Sequence, residues 1–113
     1  MTELYNEMCV PCRSGGVPLS PSEIDSLSTR LPAWSIADRD STPKLRRTFR
    51  VADFAAALDF ANRIGAIAEE ADHHPRITLE WGSVTVSWWT HMIKGLHRND
   101  FIMAARTERI LSG

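Results

Sequence analysis

The chain is short of nearly everything that marks a specialised architecture. It has two cysteines, Cys9 and Cys12, and no second pair. A secreted miniprotein spreads more cysteines along its length, and a structural zinc normally takes four ligands. Long apolar runs are also missing: a stretch such as Phe54 to Leu58 ends after five residues, far below the ~20 that span a bilayer. The first residues carry two Glu and no Lys or Arg before Cys9, with no apolar block behind them, so the expected compartment is the cytoplasm and no membrane is involved. Neither charge dominates. With 13 Lys and Arg against 14 Asp and Glu the net charge is −1, which removes any bulk attraction to nucleic acid.

What is present suits one ordinary globular domain. The 113 residues are 43% hydrophobic and 24% charged, enough for a single core and close to average usage. A chain this short buries only roughly two-thirds of its unfolded surface, so burial shared between subunits is expected.

Residues 1–19 read as an N-terminal arm of limited structure, because Val10, Pro11, Gly15, Gly16 and Pro18 break any period. Its C-x-x-C reads as loop thiols: it lacks both a partner pair for zinc and the strand-to-helix junction of a thioredoxin-like motif. Residues 20–113 read as one domain. Ser20, Pro21 and Glu23 have the spacing of a capping box, and Ile24, Leu27 and Leu31 supply an apolar stripe before Pro32. Two strands follow, residues 33–37 and 44–51, around a polar turn. In the second, Lys44, Arg46, Thr48 and Arg50 share a face read as solvated, while Arg47 intrudes among Leu45, Phe49 and Val51 on the other.

From Asp53 to Ala71 the period becomes helical, with Phe54, Leu58, Ala61, Ile64 and Ile67 as the expected buried stripe. Pro75 then closes the run, since the residue before proline avoids the helical region. Residues 77–81 and 84–90 alternate as two strands about a turn at Gly82-Ser83, with Trp81 read as a core residue. Residues 98–111 form the last helix. The order predicts an α+β fold: a four-stranded antiparallel sheet with helices packed on one face.

All four histidines, His73, His74, His91 and His97, fall in one quarter of the chain. The helix exit and the strand end can face one pocket, which would gather imidazoles beside Glu69 as acid–base equipment near neutral pH. Two other readings stand beside this one. One is a small metal site held by these rings, although adjacent histidines usually point apart and H-E-x-x-H is absent. Alternatively, His73 and His74 simply cap the helix.

Glu69, His73, His74, Pro75, Trp81, His91 and Asp100 fill the pattern E-x-x-x-H-H-P, an aromatic six positions on, His ten later and Asp nine later. This span resembles the active-site signature of the pterin-4a-carbinolamine dehydratases. C-V-P-C with its glycine pair, L-S-P-S-E-I and K-L-R-R-T-F-R resemble bacterial members. The resemblance implies dehydration of a 4a-hydroxytetrahydropterin to the quinonoid dihydropterin, with no metal and no cofactor. It implies His73, His74 and His91 as the catalytic set and Glu69 as the group that orients or tunes an imidazole. Asp72, Pro75, Trp89, Thr90 and Met92 would line the pterin site. Asp100 would cap the last helix, with His97 a weaker N-cap than the Ser or Thr usual there. The implied partners are further copies, as homodimer or homotetramer, and a functional link to an aromatic amino acid hydroxylase. The alternative is a protein-binding module without catalysis, since animal relatives also partner a homeodomain transcription factor.

Overall fold

A computed structural model of the chain describes residues 3–10 and 17–112. Its elements are α1 (Pro21–Ser28), β1 (Ser35–Ala37), β2 (Lys44–Arg50), α2 (Phe54–Ala71), β3 (Arg76–Glu80), β4 (Ser83–Trp88) and α3 (Arg98–Ser112). The strands make one antiparallel sheet in the order β1-β2-β4-β3. The expected α+β architecture is therefore the observed one. Val84, Val86 and Trp88 alternate inward and are fully buried under the helices, whereas Thr48, Thr85 and Arg46 lie on the opposite face, where Thr48 meets Thr85 and Arg46 donates to Ser87 Oγ. The capping box at Ser20 and Glu23 forms as the spacing predicts.

Three expectations need correction. Trp81 is not in the core: it is the first residue of a two-residue turn, Trp81-Gly82, and is 74% exposed. The turn sits one residue earlier than read because Gly82 supplies φ +81, a left-handed angle that glycine adopts without a Cβ penalty. In α2 the buried stripe is Ala57, Phe60, Ile64 and Ala68, while Phe54 and Leu58 are 44% and 45% exposed. Two apolar stripes share this helix, and small alanines on the inner one let the helix lie close to the sheet. Arg47 does face inward, but its guanidinium covers the Phe49 ring and pairs with Glu108, which also accepts from Trp34 Nε1.

The arm has little regular structure, a 3₁₀ turn at Leu4–Asn6, yet it is firmly docked. Leu4 is buried, which is worth roughly 1.5–3 kcal/mol for a fully buried aliphatic side chain. Arg106 donates to the carbonyls of Tyr5 and Glu7, and Arg109 lies over the Tyr5 ring. With the sheet on one side and the arm on the other, α3 buries Phe101, Ile102, Met103, Ala104 and Thr107 in close succession. Cys12 lies outside the described residues.

Candidate active site

The end of α2 sets the directions of the first two histidines. Asp72 takes a left-handed conformation, φ +52, directly after the last helical residue. The amide of Asp72 reaches the Glu69 carbonyl at 3.3 Å and that of His73 reaches the Ala68 carbonyl at 3.1 Å. This is the Schellman pattern of helix termination, with aspartate where glycine is usual. A single left-handed residue reverses the chain, so His73 and His74 leave the helix in opposite directions.

His73 turns inward. Its side chain is 10% exposed, its ring lies parallel to Trp88 at 5.8 Å between centroids, and its Nε2 is 2.6 Å from Asp100 Oδ1. Asp100 is completely buried. Its other oxygen accepts from Thr90 Oγ1 at 2.8 Å and from the His97 amide at 2.9 Å. An ionised carboxylate only accepts, so the proton between these groups belongs on His73 Nε2. Nδ1 of the same ring is not engaged by this bond.

His74 turns outward, 53% exposed, with Nε2 2.5 Å from Oε2 of Glu69 in the last turn of α2. His91 opens a 3₁₀ turn, His91–Ile93, just after β4. That turn is pinched at its base, where Thr90 and Gly95 exchange backbone bonds of 2.9 and 3.4 Å. Gly95 is required there: a Cβ would come within 2.9 Å of Pro18. The His91 ring rests on Trp89, 4.5 Å between centroids, and among the described residues no carboxylate pairs with it.

The three imidazoles border one cavity of about 370 Å³, together with Asp72, Thr90 and Met92. Glu69, Pro75 and Trp89 do not border it. Glu69 meets the cavity's lining through its bond to His74, and Pro75 follows the two histidines. Trp89 lies between Lys44 and Arg76, and its ring meets the site at His91. Sequence reading missed the contact of Asp100 with His73, the Trp88 ring behind it, and Cys9, Val10 and Asn99 at the cavity. The last helix starts more securely than a histidine N-cap suggests, because His97 Nδ1 accepts from the Asn99 amide at 3.0 Å. Among the described residues no group of three or more His, Cys, Asp or Glu is placed to hold a metal ion.

Residues 17–110 match the family model described as pterin 4 alpha carbinolamine dehydratase. The chain belongs to this family. It is 53% identical over its full length, and that of the relative, to a protein of Chlorobium limicola. A protein of Nitrosococcus oceani is 50% identical across 98% of both chains. Both are named, provisionally, as pterin-4-alpha-carbinolamine dehydratases. The crystal structure of a transcriptional coactivator/pterin dehydratase from Brucella melitensis superposes with a TM-score of 0.76 at 29% identity, covering 82% of this chain and 97% of that one. Within this dehydratase family, the matched span contains all four histidines, Glu69 and Asp100, but begins after the arm that supplies Cys9 and Val10.

Proposed function

We propose that this chain removes water from a 4a-hydroxytetrahydropterin, giving the quinonoid dihydropterin, by proton transfer among His73, His74 and His91. The observation that carries this reading is the set of three imidazoles around one cavity, two of them backed by carboxylates and one, among the described residues, not. The reaction breaks the C4a–O bond and forms a C4a–N5 double bond. Hydroxide leaves poorly, so the departing oxygen takes a proton from an acid while a base takes the proton on N5. A carboxylate behind an imidazole stabilises the cation that forms when the ring accepts a proton. The single N5 proton therefore passes to one ring backed by a carboxylate, His73 on Asp100 or His74 on Glu69, and solvent-exposed His91 is the donor to the leaving oxygen. Water then returns the proton from one to the other, so the enzyme ends each cycle as it began.

Asp72 and Thr90 supply polar atoms to the ring-binding surface, and Met92 an apolar one. The reaction belongs to tetrahydropterin recycling in the cytoplasm, beside an aromatic amino acid hydroxylase that generates the adduct. Self-association through α2 is part of this reading, supported by the half-exposed Phe54 and Leu58 on that helix. Light scattering on purified protein tests that part, and a monomer at micromolar concentration refutes it.

A hydroxylase-coupled assay following decay of the 4a-adduct, with and without the protein, tests the activity. His91→Ala is expected to slow it by on the order of 10²–10⁴-fold with the fold intact, and His73→Ala by as much with a loss of stability besides, because its partner Asp100 is buried. Undiminished turnover in both folded variants removes the mechanism.

A further inference from the structure

One wall of the cavity comes from a segment that no part of the catalytic reading uses. Cys9 and Val10 of the N-terminal arm border the same space as the histidines. They are held there by Asn99, on the first turn of α3. The Val10 amide donates to Asn99 Oδ1 at 3.0 Å, and Asn99 Nδ2 donates to the Val10 carbonyl at 2.6 Å. A primary amide carries an acceptor and a donor side by side, so it replaces one rung of a β-ladder. Asn99 is itself buried.

Its neighbours do related work. Arg98 holds Glu7 through two bonds, at 2.7 and 2.8 Å, and Asp100 holds His73. Three consecutive side chains thus fasten the arm at two points and a catalytic imidazole at a third. A wall so close to the reacting groups, and fixed through the same helical turn, has the position of a substrate contact. Its chemistry is different from theirs. The polar backbone atoms of Val10 are spent on Asn99, and its half-exposed side chain offers methyl surface only. Val10 can add contact area and exclude water but can move no proton.

We propose that Asn99 is a positioning residue for pterin binding, fixing Cys9–Val10 as a wall of the substrate pocket. This rests on the reading of that pocket as the pterin site. Contact made equally with bound substrate and transition state lowers KM and leaves kcat unchanged. Loosening the wall therefore acts on KM.

The test uses full-length protein with Asn99→Ala and, separately, Val10→Asp, whose exposed position lets the variant fold. KM and kcat come from the hydroxylase-coupled assay, affinity from titration with 7,8-dihydropterin, and arm docking from hydrogen exchange at the Val10 amide. Expected are a rise in KM of about tenfold in each variant, a matching loss of dihydropterin affinity, kcat within about threefold, and faster exchange at Val10 in Asn99→Ala. A purely structural role for Asn99 predicts instead a lower melting temperature with unchanged KM. If Asn99→Ala does not fold, Val10→Asp decides alone. Unchanged KM and dihydropterin affinity in folded Val10→Asp overturn the proposal. A wild-type protein that binds dihydropterin without dehydrating the adduct overturns the function but leaves the wall readable by affinity; one that does neither overturns both.

Discussion

The inner wall of the cavity and its outer rim carry the same chemical pair, an imidazole on a carboxylate, in two different settings. His73–Asp100 is enclosed between Trp88, Thr90 and the start of α3, and Asp100 has no solvent exposure. His74–Glu69 lies in water, with both side chains more than half exposed. Exposed ion pairs contribute about 0–1 kcal/mol, because water competes for both partners and long side chains lose freedom. Removing one partner of a buried pair is far more costly, about 3–5 kcal/mol, because the remaining polar groups are stranded. The inner pair is therefore part of the fold as well as the site, and the outer pair belongs to the site alone.

Asp100→Ala breaks the comparison most severely. It strands the His73 ring, the Thr90 hydroxyl and the His97 amide together. Denaturant unfolding should report a loss of about 3 kcal/mol or more. Asp100→Asn separates the two roles. Its amide oxygen still accepts from Thr90 and His97, so much of the stability returns, but a neutral amide does not stabilise a His73 cation. Turnover should stay low, by about 10²-fold or more. If Asp100→Asn recovers activity along with stability, the carboxylate behind His73 has only a structural role.

Glu69→Gln makes the smaller change at the rim. Melting should move by less than the equivalent of about 1 kcal/mol, since the pair is exposed. Turnover should fall by about tenfold, the lower end of what an orienting partner contributes. An effect on stability as large as that of Asp100→Ala would mean that the two settings do not differ as their exposure indicates.

The same contrast explains what could be read from sequence. That Glu69 lies near the histidine pair follows from helix periodicity, which by itself points to His73 four residues on; the left-handed Asp72 ends the helix and gives Glu69 to His74 instead, five residues on. Asp100 lies 27 residues from His73 and meets it only because α2 and α3 pack side by side. Helix spacing also predicts the N-terminal cap of α3 from Asp100, and that local role concealed the long-range one. The fold class was legible because hairpins and helices announce themselves by period. Which of two apolar stripes α2 buries was not, since Phe54 and Leu58 satisfy the helical period as well as Ala57 and Phe60. Trp81 was misplaced for a related reason: strand alternation continues formally into a turn whose geometry is fixed by the next residue, Gly82. The arm was the least legible part, because its order comes from Arg98, Asn99 and Arg106 at the other end of the chain.

The gentlest probe of the comparison is acid acting on that arm. Glu7 is held below the usual carboxylate value of 4.5, chiefly by its hydrogen bond to Arg98 and further by the positive charge of that guanidinium. A carboxylate whose folded value is depressed adds stability above its unfolded value and loses it as pH falls through the folded one. Arm docking should therefore be constant from neutrality to about pH 4.5 and weaken below it as Glu7 takes a proton. The Arg98 side chain is 46% exposed, so solvent screening keeps the effect small, well under about 1 kcal/mol. Hydrogen exchange along Leu4–Asn6 and at Val10 should accelerate below that pH by more than the intrinsic rate changes. In Glu7→Gln the excess should vanish, leaving a uniformly looser arm at every pH. An acid-induced loosening that persists in Glu7→Gln would assign the pH response to another carboxylate and leave the Glu7–Arg98 pair no measurable part in holding the arm against α3.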